Sequence, residues 1–241
     1  MNDVIEMKYQ LNNYYHEDCL IAMKDIPDKF FDLAIVDPPY FKGPGKRKFY
    51  GNDINKLNIK RKQYGEIKCW NVPGQEYFDE LVRISKNQII WGINYFDVIL
   101  GPGRIIWDKC NGTSSFSDAE IAYCSMHDSV RLFPFMWNGM MQGKSISQGR
   151  VMQGDKSKNE IRIHQTQKPV ALYEWILQNY AKPGDKILDT HVGSASSLIA
   201  CYNMGFEFIG FEKDKDMYIK SMKRLKQRMD QVDLFNIEIE S

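Results

Sequence analysis

The sequence predicts an α/β fold on a doubly wound, mostly parallel sheet, and three observations predict it. Short apolar runs bounded by turn residues recur along the chain, helical apolar patterns lie between several of them, and two of the runs end on an acidic residue followed by a tight turn. The runs, read as buried strands, are Leu33 to Val36, Gln88 to Trp91, Arg104 to Trp107, Lys186 to Leu188 and Phe206 to Phe211. Glu76 to Lys86 places Tyr77, Leu81 and Ile84 on one helical face. Pro169 to Tyr180 does the same with Val170, Tyr173, Ile176, Leu177 and Tyr180, with Pro169 suited to a first turn. Ser196 to Met204 reads as a short helix stopped by Gly205. Asp214 to Gln231 reads as a charged helix with Met217, Ile219, Met222, Leu225 and Met229 on its packed side and Lys220, Lys223, Arg224, Lys226 and Arg228 on a solvated face.

The 241 residues, 43% hydrophobic and 26% charged, suffice for one domain spanning residues 1–241. No apolar run reaches the roughly 20 residues of a membrane span, and the start MNDVIEMKYQ lacks the apolar stretch of a secretory signal, so a cytoplasmic location is expected, with no membrane partner. Five cysteines without a CxxC pair argue against a disulfide framework and against a metal site. The formal charge is only +1. That near-neutrality is a cancellation: Phe41 to Cys69 holds nine Lys or Arg against two acids, a net +7, which leaves the rest of the chain at −6. A second polar excursion, Gln142 to Lys168, carries a net +4 and is rich in Gly, Ser and Gln.

The sharpest local signal is Asp37-Pro38-Pro39-Tyr40, which directly follows the run Leu33 to Val36. A carboxylate at the carboxyl end of a buried parallel strand faces the crevice where open α/β sheets bind ligands. Two prolines remove two amide donors and hold the backbone extended. The segment therefore offers acceptors, from the Asp37 side chain and the Pro38 carbonyl, beside the aromatic face of Tyr40. That chemistry suits a planar group bearing an NH2, such as a nucleobase with an exocyclic amine. The plainer alternative is a turn-capping Asp, a strand-ending Pro pair and a core Tyr.

Ile187-Leu188-Asp189 leads through Thr190-His191-Val192-Gly193-Ser194-Ala195-Ser196 into a helix and a further strand, after which comes Glu212. This is the order of a nucleotide-binding βαβ unit, with the acid about 20 residues on, placed to accept ribose hydroxyls. The GxGxxG pattern is missing, so an adenosine without a diphosphate fits better. An ordinary βαβ unit with an exposed Glu212 is the alternative.

Together these segments resemble the amino-group DNA methyltransferases in their circularly permuted β arrangement. Asp37 to Tyr40 resembles the catalytic DPPY motif, His164 to Pro169 the HxTQKP segment, and Asp189 to Ser196 the cofactor motif DPFxGxGT. Asn13 to Cys19 resembles the opening strand, and Ile89 to Phe96 and Ile106 to Lys109 resemble later strands. The resemblance implies a Rossmann-like sheet, S-adenosyl-L-methionine as cofactor and double-stranded DNA as partner. It further implies catalysis by Asp37, Pro38, Pro39 and Tyr40 on a flipped base. Asp18, Asp37, Thr166, Lys168, Asp189, His191, Gly193, Ser194, Ala195 and Glu212 would form the cofactor site. A homodimer, and a cognate restriction endonuclease as in a restriction-modification pair, are further partners it leaves open.

Three positions depart from the family pattern. Thr190 and His191 stand where Pro and Phe are usual, and Ala195 replaces the second glycine, where its Cβ is expected to crowd the methionine end of the cofactor. His191 reads as a substituted packing residue rather than a catalytic one. These departures keep a catalytically weak DNA- or cofactor-binding module in view. Transfer to cytosine C5 is excluded, because none of the five cysteines follows a proline. Transfer to cytosine N4 stays open, although an Asp rather than a Ser at the head of the tetrapeptide favours adenine N6. An RNA base or a protein amide is a weaker alternative. DNA contact is expected from the basic active-site loop 41–69, through Lys46, Arg47, Lys48, Lys60, Arg61 and Lys62, and target recognition from region 125–168.

Overall fold

The computed structural model describes residues 7–40, 71–112, 117–164 and 166–240, with backbone alone beyond residue 231. In chain order the elements are β1 (Asn13–His16), α1 (Cys19–Lys24), β2 (Phe31–Val36), α2 (Gln75–Ile84), β3 (Ser85–Trp91), β4 (Arg104–Asp108), β5 (Ala119–Cys124) and β6 (Val130–Pro134). There follow β7 (Trp137–Asn138), β8 (Met141–Gln142), α3 (Val170–Tyr180), β9 (Lys186–Asp189), α4 (Ser196–Met204), β10 (Glu207–Glu212) and α5 (Lys215–Glu240). Eight strands form one sheet in the order β1-β10-β9-β2-β3-β5-β4-β6. Seven run in one direction, and β5 alone among them is antiparallel to both its neighbours.

The apolar runs are long because both sheet faces are covered. Successive strand residues feed opposite layers: Leu33, Ile35, Ile89 and Trp91 pack with α3 and α4, while Ala34, Val36 and Ile90 pack with α1 and α2. The β2–α2–β3 unit winds one way across the sheet and β9–α4–β10 the other. The winding reverses between the paired strands β2 and β9, where an open α/β sheet leaves a crevice at its carboxyl edge.

The expected strands and helices form, with local corrections. Helix α2 ends at Ile84 rather than at Lys86, because β3 starts at Ser85, whose hydroxyl caps the Leu81 carbonyl at 2.5 Å. Pro169 caps α3 from outside, with ψ 148°, instead of sitting in its first turn. Phe206 precedes β10. Ile219 is 55% exposed and leaves the packed side of α5, where Met217 and Leu225 are buried. The loop 41–69, with its six expected DNA contacts, lies outside the described residues. Among the described residues no helix is long and apolar enough to cross a membrane.

Candidate active site

Strand β2 delivers Asp37 to the crevice, and the two prolines carry the chain along its rim to Tyr40. The Tyr40 ring stacks on Tyr95 at 4.4 Å, the planes 4° apart. That approach needs a glycine below it. Gly92 has φ +69°, and a Cβ there would lie 2.4 Å from the Tyr40 ring. The Asp37 carboxylate is divided in its use. Oδ2 is ion-paired with the Lys168 ammonium, while Oδ1 is buried without a hydrogen-bond partner among the described residues. Burial raises the Asp37 pKa, Lys168 pulls it back and Glu120 raises it again. Lys168, 2% exposed, also meets Glu120 at 3.0 Å, and Glu120 meets Lys109 at 2.5 Å. Burial alone would discharge Lys168, but Asp37 and Glu120 outweigh it and hold the ammonium protonated. Burial would likewise raise Glu120, but Lys168 and Lys109 hold it ionised at about 2.

The turn after β9 is built differently. Asp189 Oδ1 accepts from the His191 amide at 2.9 Å and Oδ2 from the Ser197 hydroxyl, tying the turn to the start of α4. Burial raises its pKa to about 7. Glu212 closes the turn from the next strand: Oε2 accepts from the Gly193 amide at 2.9 Å and Oε1 from the Asp214 amide at 2.8 Å. His191 sits in a buried polar chain. Its Nδ1 lies 2.9 Å from the Thr190 hydroxyl, which lies 2.7 Å from the Tyr77 hydroxyl, and its Nε2 is 3.8 Å from Cys19 Sγ. Burial lowers its pKa to about 4, so the ring is neutral and packs edge-on against Tyr77.

A cavity of about 770 Å³, its open mouth included, joins the two turns. Its lining brings together Asp37, Pro38, Pro39, Tyr40, Thr166, Lys168, His191, Gly193, Ser194 and Glu212, all expected from the sequence. Three expected residues lie outside that lining. Asp18 caps α1 through the Leu20 amide and pairs with Lys213 at 2.6 Å. Asp189 is spent on the turn. Ala195 is fully buried at φ +63°, a left-handed backbone that favours glycine, and it does not line the cavity.

Sequence reasoning took Tyr173 and Met217 of the lining for packing residues only, and it missed two contributors beyond the lining. Glu120 lies on β5, a strand the apolar runs do not announce. Arg224, assigned to a solvated face, is instead a half-buried clasp. Its Nη1 donates to the Ser194 carbonyl at 2.6 Å and the Ser196 hydroxyl at 3.0 Å, and its Nη2 to Glu160 at 2.9 Å. Glu160 in turn accepts from the Val170 amide at 2.8 Å. Arg228 is also engaged, donating to Asn203 at 2.7 Å, whereas Lys220, Lys223 and Lys226 are exposed.

Residues 136–223 match the family model described as DNA methylase, of the N6/N4 class. The chain is 24% identical to the type II methyltransferase M.HinfI of Haemophilus influenzae, over 95% of this chain and 73% of that protein. It is 23% identical to the type II methyltransferase M2.DpnII of Streptococcus pneumoniae, over 88% of each. Among solved structures, M1.HpyAVI in complex with SAM superposes with a TM-score of 0.52 at 22% identity, covering 88% of this chain and 98% of that one. The cytosine-N4-specific PvuII DNA methyltransferase superposes at 0.51 with 13% identity, covering 90% of each. The sheet order and the crevice between β2 and β9 fit these likenesses: residues 136–223 match the N6/N4 DNA methylase model, and the chain as a whole is similar to type II DNA methyltransferases.

Proposed function

We propose that this chain transfers a methyl group from S-adenosyl-L-methionine to the exocyclic N6 amine of adenine within a specific double-stranded DNA sequence. The observation that carries the reading is Asp37, with one carboxylate oxygen held by Lys168 and the other buried at the crevice without a partner. A buried acceptor left unmet is costly unless a ligand donates to it, and an NH2 group is the matching donor.

The lining of the cavity fits a nucleoside bearing a charged amino-acid tail. Glu212 retains lone pairs for ribose hydroxyls after accepting two amides, and Thr166, Gly193 and Ser194 line the same space. When bound, the cofactor supplies an electrophilic sulfonium methyl. Asp37 Oδ1 and the Pro38 carbonyl hold the two amine N–H groups and aim the nitrogen lone pair away from themselves. Tyr40 offers the flipped base an aromatic ring at the rim of the crevice. The amine proton leaves to solvent after transfer, so Asp37 serves as an acceptor rather than as a strong base. Positioning and fixed charge lower the barrier.

Lys46, Arg47, Lys48, Lys60, Arg61 and Lys62 contact the DNA backbone in this reading, and region 125–168 reads the target. Action in the cytoplasm, a homodimer and a cognate restriction endonuclease belong to the same reading. The same pair of acceptors suits the N4 amine of cytosine, and the Asp at the head of the tetrapeptide favours adenine. The test incubates the protein with methyl-labelled S-adenosyl-L-methionine and unmethylated DNA of mixed sequence, then separates the nucleosides. Label in N6-methyldeoxyadenosine is expected. Label in N4-methyldeoxycytidine moves the reading to cytosine, and cofactor binding without incorporation reduces the protein to a binding module.

A further inference from the structure

The reversed strand β5 places at the catalytic edge a residue that a parallel strand would not. The seven co-directional strands end at that edge, whereas β5 begins there: Ala119 pairs with Asp108 at the end of β4, and Ala122 with Trp91 at the end of β3. Glu120, paired in register with Trp107, therefore reaches the Lys168 ammonium. The result is a four-member row of alternating charge, Asp37, Lys168, Glu120 and Lys109, drawn from the ends of three strands at one sheet edge and the segment before α3. Its two cations are seated near indole rings, Lys168 at 5.6 Å from Trp91 and Lys109 at 5.1 Å from Trp107.

We propose that Glu120 is a positioning residue for the transfer: it anchors the Lys168 ammonium against Asp37 Oδ2, so that Oδ1 remains the acceptor presented to the target amine. The proposal rests on the methyltransferase reading above. A lysine answering to Asp37 alone would be free to bridge both carboxylate oxygens. With Glu120 drawing it from the opposite side, it holds one. Lys109 fixes Glu120 in turn, so the geometry is set by a chain of contacts that includes no substrate.

Asp37 is faced by Lys168 ahead of α3, Glu120 on β5 and Lys109 after β4, and more distantly by Tyr77, Tyr173 and Asp189. Removing the Glu120 charge withdraws a contribution that raises the Asp37 pKa, so the acidic limb of the activity profile moves to lower pH.

The experiment compares Glu120→Gln and Glu120→Asp with the unaltered protein by steady-state kinetics across pH, cofactor calorimetry, thermal melting and 15N-lysine NMR of the buried ammonium groups. The Lys168 signal is assigned by its loss in Lys168→Met. The expected result for Glu120→Gln is a kcat about tenfold or more lower, as for loss of a partner that orients an active-site ligand. Cofactor affinity within about twofold, an acidic limb at lower pH and a shifted Lys168 signal accompany it, and Glu120→Asp restores part of kcat. A kcat within about twofold, or a fall in kcat matched by equal losses of cofactor affinity and melting temperature, overturns the proposal. If the unaltered protein methylates no DNA, the functional reading fails separately. In that case an unchanged Lys168 signal in Glu120→Gln overturns the anchoring, and a shifted one supports it.

Discussion

The two turns that meet in the cavity use their carboxylates in opposite ways. After β9, Asp189 spends both oxygens on the chain itself, on an amide of the turn and a serine hydroxyl. After β2, Asp37 has one oxygen paired and one uncommitted. Both are acidic residues at the carboxyl ends of neighbouring buried strands, and in sequence they look alike. Their hydrogen-bond inventories separate a group that shapes the site from one that acts on a ligand.

The contrast is broken most directly at Asp37. Asp37→Ala is expected to lower methyl transfer about a thousandfold, the scale of losing a preorganised polar contact to the reacting group, while calorimetry finds cofactor binding largely kept. Equal losses in both would mean that Asp37 serves the scaffold as Asp189 does. At Asp189 the expected effect is on stability. Its carboxyl is raised by burial to about 7, above its unfolded value, so the folded state holds the extra proton between about pH 4 and pH 7. Stability attributable to this group is present below that window and falls as pH rises through it, with a slope approaching about 1.4 kcal/mol per pH unit. Asp189→Asn keeps both hydrogen-bond partners and removes the titration, so denaturant melts of the variant should lose that slope relative to the unaltered protein.

Arg224→Met tests whether the turn after β9 also needs its external clasp. Loss of the guanidinium leaves the Ser194 carbonyl and Glu160 short of a partner, and a stability loss of about 2 kcal/mol is expected in urea titration. The smallest effect belongs to Ala195→Gly. Relief of the left-handed backbone, about 1 kcal/mol, is offset by the greater entropy of an unfolded glycine and the lost burial of a methyl group. Cofactor affinity should stay within about twofold by calorimetry, because the Cβ does not line the cavity.

What could be read in the sequence follows from locality. Strands β2, β3, β9 and β10 were legible because burial on both faces makes their apolar runs continuous, and β4 from its short run Ile105-Ile106-Trp107, of which only Ile105 and Trp107 are fully buried. Helices α2 and α4 were legible from periodicity and, for α4, from a glycine stop at φ +72°. Strand β6 was not, because as the sheet edge it leaves Val130 and Leu132 more than half exposed and mixes them with Arg131. Strand β5 was not, because an acid stands second in Ala119-Glu120-Ile121 and nothing local announces a reversed direction. The Gly193 turn and Glu212 were legible because the bonds that define them lie within one βαβ unit, and the tetrapeptide because its residue types stand consecutively at a strand end, although its contacts to Lys168 and Tyr95 are distant in sequence. Glu120 and Arg224 act on residues 48 and 30 or more positions away, Lys168 for the first and Ser194 for the second, and a charged side chain with a distant partner looks like a solvated one.

The polar chain from Tyr77 through Thr190 to His191 also limits what the turn can accept. A Pro-Phe pair at positions 190 and 191, the more usual family choice, would strand the buried Tyr77 hydroxyl at a cost of about 1–3 kcal/mol. Tyr77→Phe alone leaves the Thr190 hydroxyl on His191 Nδ1 at 2.9 Å, so the order of the changes matters. A graft of a Pro-Phe turn into this protein therefore requires Tyr77→Phe before it or alongside it.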